Sequence, residues 1–213
     1  MIKINTVLEE KLNAITHGIG TGLAVLALIF LIARAYIYGG HWHMIAAVIY
    51  GTSLILLYLA STLYHSFKRE HIKSLFKIFD HSAIYILIAG NYTPFTLLSL
   101  HGTLGWTLFA IVWSIAIVGI VFKVFFVKRF KIFSTICYLI MGWLAVIMVK
   151  PLLAVLPSAA IYWLLAGGIL YTIGTIFYLN KKIPYNHAVW HLFVLGGSIS
   201  HFISIFKYVL PLS

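Results

Sequence analysis

The sequence predicts an all-α membrane protein, a bundle of seven transmembrane helices in a single domain over residues 1–213. Of these residues 62% are hydrophobic and 9% are charged, whereas soluble domains average about 45–50% apolar and about 25% charged residues. A helix needs about 20 residues to cross a bilayer, so the length allows seven helices with short connections. Apolar runs of this length favour helices over a β-barrel, in whose strands apolar and polar residues alternate over about ten residues.

Turn-forming or basic residues separate the first three apolar segments. The first segment covers about 14–35 and ends before Gly39-Gly40. The second covers about 44–66 and is followed by a basic connection. The third covers about 79–100, and Pro94 is expected to kink or end it, because proline cannot donate a helical hydrogen bond. Residues 1–13 are polar and are predicted to form a short tail or a helix at the membrane interface.

The last four segments have equally clear ends. The fourth covers about 104–122 and precedes the basic stretch 123–131. The fifth covers about 132–149 and stops at Lys150-Pro151. The sixth, about 158–179, is separated by two lysines and a proline from the seventh, about 187–210.

Basic residues are distributed unevenly between the two predicted faces of the membrane. Twelve of the 15 Lys and Arg residues fall in the N-terminal tail and in the second, fourth and sixth connections. They are Lys3, Lys11, Lys68, Arg69, Lys73, Lys77, Lys123, Lys128, Arg129, Lys131, Lys181 and Lys182. Cytoplasmic loops carry such an excess, so the N-terminus is predicted to be cytoplasmic and the C-terminus outside. The formal charge of +11 is attributed to this topology and to anionic lipid, not to nucleic acid.

Four ionisable side chains are predicted to share one depth near the cytoplasmic surface. His187 and His191 are four residues apart at the start of the seventh segment, so a helix places both on one face. His65 ends the second segment and Asp80 opens the third. Ionisable groups inside a membrane usually have a function. Three imidazoles with a nearby carboxylate are a sufficient set for a catalytic zinc site, which keeps one position for water.

Asp80 and Ser61 are the candidate catalytic residues beside these ligands. Asp80 could hydrogen-bond the zinc-bound water or act as a base. The histidine pair lacks the glutamate of the H-E-x-x-H motif, so a base must come from elsewhere. Ser61 lies one turn before His65, where its hydroxyl could bond to its own helix or support the site and contact substrate.

Two further groups of polar residues accompany the predicted site. Glu9, Asn13 and His17 repeat at intervals of four near the start of the first segment. They could face the site, or they could cap and solvate the helix start. His201 lies deeper in the seventh segment and is expected to make a buried polar contact and not to be a ligand.

An ordered set of motifs gives the chain a family resemblance. The motifs are Glu9-x-x-x-Asn13-x-x-x-His17-Gly18, Ser61-x-x-x-His65, Phe79-Asp80-His81-x-x-Ile84-Tyr85, Gly90-x-Tyr92-Thr93-Pro94 and His187-x-x-x-His191. They resemble the hemolysin III family, the bacterial branch of the progestin and adipoQ receptor group, and more distantly the alkaline ceramidases. The resemblance implies a seven-helix protein with zinc held by His65, His187 and His191. It also implies that Asp80 contacts the zinc-bound water and that Ser61 lies beside it.

The resulting expectation is a multi-pass protein of the cell membrane that hydrolyses an amide or ester bond of a membrane lipid. Its acyl chain would enter laterally between helices. Two alternatives stay open: a cytolysin that permeabilises membranes, as the family name suggests, and a receptor-like or membrane-homeostasis protein with structural zinc. The sequence does not separate the hydrolase from the last of these, because ligands, depth and helix order would be the same.

Overall fold

The computed structural model describes residues 6–100 and 102–211, and it is helical throughout apart from short connections. The helices are α1 (Thr6–Tyr38), α2 (His41–Ser66), α3 (Glu70–Pro94), α4 (Gly102–Phe126), α5 (Lys131–Trp143), α6 (Ala145–Leu153), α7 (Ser158–Leu179) and α8 (Asn186–Ser204). Short π-helical segments continue α3 over Phe95–Ser99 and α8 over Ile205–Val209. The predicted all-α class is confirmed, with no strand among the described residues.

Six stretches of the described chain are long and apolar enough to cross a membrane. They are α1, α2, α4, α7, α5 together with α6, and α8 with its π-helical continuation. α3 is more polar, and its buried residues lie between Asp80 and Pro94. A helix enclosed by its neighbours can carry polar groups, because it presents little surface to lipid. A seventh crossing by α3, and the orientation of the termini, stay predictions.

The packing order of the helices brings the two ends of the chain together. α1 packs on α2, α2 on α3, α3 on α4, and α7 on α8, while α1 also packs against α8 and closes the bundle. α5 packs sparsely against α3 and α7, and α6 packs sparsely against α7. One end of the bundle holds the starts of α1, α3 and α8 and the end of α2. We call it the basic end, after Lys68, Arg69, Lys73, Lys128 and Lys181, which lie at or beside it.

Two helices begin earlier than the hydrophobic pattern predicted. α1 begins at Thr6, well before residue 14, and α3 begins at Glu70, well before residue 79. Residues 6–13 are therefore not a tail separate from the first helix. Polar turns can extend a helix beyond its apolar part, where their side chains reach water or other polar groups. Residues 1–5, with Lys3 of the predicted basic set, lie outside the described residues.

The fifth predicted segment is broken in the middle, between α5 and α6. α5 ends at Trp143, and after Leu144 the chain starts again as α6. The buried Tyr92 of α3 donates its hydroxyl hydrogen towards the carbonyl oxygens of Met141 and Gly142, at 2.9 and 2.7 Å. Because buried carbonyls need donors, Tyr92 stabilises the break and ties it to α3.

Replacing Tyr92 by Phe is expected to destabilise the bundle, because the carbonyls at the break lose their donor. The expected loss is about 1 kcal/mol, within the range for such bonds in membrane proteins. Thermal unfolding of the detergent-purified protein measures it, with Tyr162→Phe as the matched control, since Tyr162 of α7 is 70% exposed. Equal melting temperatures for the two variants would contradict this role of Tyr92.

Candidate metal centre

His65, His187 and His191 meet at the basic end of the bundle. One ring nitrogen from each lies within 4.8 Å of the others. The ring centroids are 5.0 Å apart for His65–His187, 5.2 Å for His65–His191 and 4.7 Å for His187–His191. Three imidazole donors around one point match the ligand set of a zinc site that keeps an open fourth position. The group could hold a metal ion, and its members are the three histidines that the sequence indicated.

Local structure at the ends of two helices places these ligands. His65 lies in the last turn of α2, just before the extended residue Phe67 ends the helix. α8 begins directly after Tyr185, which adopts a left-handed backbone conformation with φ of 53°. The Asn186 amide then donates to the Phe177 carbonyl oxygen at 2.9 Å, which fixes the start of α8 against the end of α7. His187 and His191 follow on one face.

A carboxylate from α1 orients His65. The Nδ1–H group of His65 donates to Oε2 of Glu10 at 3.0 Å, and the same oxygen pairs with Nζ of Lys73 at 2.9 Å. The Nε2 atom of His65 is buried and has no hydrogen-bond partner in the described part of the chain. A proton on Nδ1 leaves the lone pair on Nε2. Metal-bound histidines commonly have this arrangement, with a carboxylate on the other ring nitrogen.

The same helix orients His191. Its Nδ1 atom lies 3.3 Å from the Asn13 carbonyl oxygen and 3.1 Å from the Thr16 hydroxyl. A carbonyl can only accept, so Nδ1 carries the proton and Nε2 the lone pair. The Thr16 hydroxyl donates to the Leu12 carbonyl at 2.9 Å and is therefore able to accept from His191.

His17, also on α1, packs against His191 as well. Its ring stacks on His191, with centroids 3.5 Å apart and planes at 12°, and meets the edge of Tyr58 at 5.0 Å. Both of its nitrogens are buried without a hydrogen-bond partner among the described residues. Asn13 and His17 thus face the site, one of the two arrangements that the sequence left open. For Glu9 the described contacts include no hydrogen bond or ion pair to the site, and Glu10 supplies the carboxylate.

Asp80 and Ser61 line the cavity beside the histidines. Asp80 is buried, and its Oδ2 atom lies 3.3 Å from Nδ1 of His81. Ser61 is fully buried, and its hydroxyl has no hydrogen-bond partner in the described chain. The bond to its own helix that the sequence allowed for Ser61 is therefore not formed. His17, His187 and His191 line the same cavity.

The cavity has a free volume of about 150 Å³ and lies between α3, α7 and α8, with α5 and α6 on its outer side. Residues at helical spacing on α3, α7 and α8 line its length. Trp143 and Val146, which also line it, are exposed on the outside of the bundle. Because the sparsely packed α5 and α6 form this wall, the cavity adjoins the surface that lipid chains would cover.

His201 lies apart from the three clustered histidines. It is buried, and its Nε2–H group donates to the carbonyl oxygen of Leu164 at 3.1 Å. The predicted buried polar contact is confirmed. His201 lines the same cavity, ten residues beyond His191 on α8.

Known proteins match the chain over nearly its whole length. The family model described as "Haemolysin-III related" matches residues 5–202. The "Hemolysin-3 homolog" of Bacillus subtilis (strain 168) is 57% identical over 203 residues, covering 95% of each chain. "Hemolysin-3" of Bacillus cereus is 56% identical, covering 95% of this chain and 93% of the relative. The human "Monocyte to macrophage differentiation factor" is 29% identical, covering 96% of this chain and 86% of the relative. This match extends the similarity to the progestin and adipoQ receptor group.

The family match and the apolar helices agree on what kind of protein this is. The family model spans almost the entire bundle, including every helix that contributes to the candidate metal centre. Six described helical stretches suit a membrane in length and composition. The chain therefore belongs to the haemolysin-III related family of multi-pass cell-membrane proteins.

Proposed function

We propose that this protein is a zinc-dependent hydrolase of membrane lipids. The observation that carries the proposal is the convergence of three imidazole donors beside a buried carboxylate and an unpartnered hydroxyl, at one end of a cavity with apolar walls. The proposal includes a cytoplasmic location for the basic end, because basic residues concentrate there. An acyl lipid would enter from the bilayer, past α5 and α6.

His65, His187 and His191 would hold the zinc ion, which fits their donor chemistry. When bound, zinc supplies a Lewis acid for an acyl carbonyl and lowers the pKa of a water molecule to about 7. Glu10 holds the ring of His65, and the Asn13 carbonyl holds that of His191, so both rings stay in the tautomer that ligation requires.

Asp80 and Ser61 would act on the reacting groups. Asp80 would accept a proton from the attacking water and deliver it to the leaving amine or alcohol as the acyl C–N or C–O bond breaks. The Ser61 hydroxyl, which has no hydrogen-bond partner in the described part of the chain, would donate a hydrogen bond to the acyl oxygen as negative charge develops there. His81 contacts Asp80 at 3.3 Å and positions its carboxylate.

Loss of a single ligand is expected to abolish metal binding. His65→Ala should reduce bound zinc from about one ion per chain to almost none, because two imidazoles alone rarely retain zinc against a chelator. Elemental analysis of the detergent-purified protein measures the metal, and His71→Ala is the control, since His71 is exposed near the start of α3. Full zinc occupancy in the His65 variant would contradict the assigned ligand set.

The supporting carboxylate offers a matched pair of variants in neighbouring positions. Glu10→Ala is expected to weaken zinc affinity about 10- to 100-fold, the usual cost of losing a partner that orients a ligand. Glu9→Ala should leave affinity unchanged, because no described contact joins Glu9 to the site. Competition with a zinc-binding dye measures both. The reverse order of effects would mean that Glu9, not Glu10, orients His65.

Catalysis is expected to depend on both the metal and Asp80. Reconstituted protein is incubated with a panel of amide- and ester-linked acyl lipids, and released fatty acid is detected by mass spectrometry. A chelator should abolish release and zinc should restore it. Asp80→Asn should retain zinc but slow release about 100-fold or more, whereas Glu70→Gln, an exposed carboxylate on the same helix, should not.

The same preparations test the alternatives. Turnover that survives both the chelator and Asp80→Asn would rule out the mechanism. Bound zinc without turnover on any lipid would favour a structural metal. The names of the two bacterial relatives favour membrane lysis as a second candidate. Lysis predicts leakage of dye-loaded liposomes that persists in the Asp80→Asn protein, with no release of fatty acid.

A further inference from the structure

The end of the cavity remote from the metal centre contains a cluster of buried polar side chains. Asn91 of α3, Tyr171 of α7 and His201 of α8 all line the cavity. The ring centroids of Tyr171 and His201 are 5.4 Å apart, and the side chain of Asn91 lies near the Tyr171 hydroxyl group. The Tyr171 hydroxyl lies 2.8 Å from the Ser198 hydroxyl, which accepts a hydrogen bond from Tyr58 at 2.7 Å. The function proposed above uses none of these residues.

His201 offers a hydrogen-bond acceptor that nothing in the described chain satisfies. Its Nε2–H group donates to the Leu164 carbonyl, so in the neutral ring Nδ1 carries a lone pair. The Nε2–Cδ2 edge of the ring packs against Gly167, where even a methyl group would collide with it. Nδ1 is therefore on the far side of the ring from α7, and it is buried without a partner.

A second unpartnered atom lies in the same cluster. Asn91 is 7% exposed and His201 is 8% exposed, and the Oδ1 atom of Asn91 also has no partner among the described residues. Buried polar atoms are nearly always hydrogen-bonded, so such exceptions indicate a missing partner. Both atoms are acceptors. The missing partner must therefore be a hydrogen-bond donor, either a water molecule or a hydroxyl group of the ligand, and a plain acyl chain supplies none.

The distance between the two polar ends of the cavity, at His191 and at His201, matches the length of an acyl chain within one half of the bilayer. His191 and His201 are ten residues apart on α8, which corresponds to about 15 Å along a helix. The hydrocarbon core of a bilayer is about 30 Å thick. Between the two ends the lining is apolar, with Leu57, Leu87 and Val194. A ligand that satisfies the whole cavity is therefore polar at both ends and apolar between them.

We propose that Asn91, Tyr171 and His201 form a second ligand subsite, which hydrogen-bonds a hydroxyl group on the acyl chain of the bound lipid. The preferred ligands are then hydroxylated acyl lipids, with the hydroxyl group about 15 Å from the carbonyl group at the metal centre. The subsite deepens the proposed function and rests on it only in placing the acyl carbonyl at the metal end. Its test measures binding alone and needs no turnover.

The test compares three fatty acids of one chain length in wild-type protein. Laurate, ω-hydroxylaurate and ω-methoxylaurate compete with a fluorescent fatty acid, and the methyl ether matches the hydroxyl in position but cannot donate. The hydroxy acid is expected to bind about tenfold tighter than the other two, the gain from one well-placed hydrogen bond. Equal affinities for laurate and ω-hydroxylaurate would overturn the proposal.

Variants of His201 assign the preference to its ring. His201→Phe should abolish the preference for the hydroxy acid. His201→Gln should retain most of it, because its amide can donate to the Leu164 carbonyl and still offer an oxygen to the ligand. A preference that survives His201→Phe would contradict the assignment. Should the Phe variant not fold, Asn91→Leu takes its place, with the same two outcomes.

The fatty-acid binding test and the lipid-panel test can each give a negative result independently of the other. A hydroxyl preference without hydrolysis of any lipid would leave the subsite standing and remove the hydrolase. Zinc-dependent hydrolysis without a hydroxyl preference would remove only the subsite.

Discussion

The arrangement of the bundle depends on the burial of imidazole rings between α1, α2 and α8. A ring nitrogen removed from water needs a partner, because an unpaired polar atom is costly in an apolar surrounding. α1 supplies partners for one nitrogen of His65 and one of His191. Among the described residues, the lone pair that this leaves on Nε2 of His65 has no donor to meet it. Three imidazoles held this close together could share a cation, and a metal bound there would also stabilise the closure of the bundle by α1 and α8.

Much of this arrangement was predictable from the sequence, because a helix repeats every 3.6 residues and a membrane fixes depth. The spacing of His187 and His191 places both on one face. His65 was predicted to lie at their depth from its position at the end of an apolar segment, and the structure brings it beside them. The same periodicity indicated that Asn13 and His17 could face the site. His201 was predicted as a buried polar contact, and its bond to Leu164 confirms this.

Other features of the site and the fold could not be predicted from the helical periodicity of the sequence. Glu9 and Glu10 are adjacent, and Asn13 lies four residues from one and three from the other. Both spacings place a glutamate on the same helix face as Asn13, so only the packing of α1 shows which of the two glutamates contacts His65. The break at Leu144 is stabilised by Tyr92 of a different helix and leaves no local signal. The subsite around His201 draws single residues from three helices, so no spacing within one segment reveals it.

The shape of the site bears on whether a metal there serves structure or chemistry. Structural zinc is almost always enclosed by four protein ligands, whereas catalytic zinc keeps a position for water or substrate. The described cluster has three imidazole donors, and the nearest carboxylate on the cavity wall, Asp80, contacts His81 instead of joining the cluster. A cavity with mostly apolar walls adjoins the cluster at His187 and His191. A purely structural metal would have no need of that cavity, nor of a Ser61 hydroxyl on its wall that lacks a hydrogen-bond partner among the described residues. In the proposed hydrolase, both features would serve a lipid carbonyl group bound beside the metal.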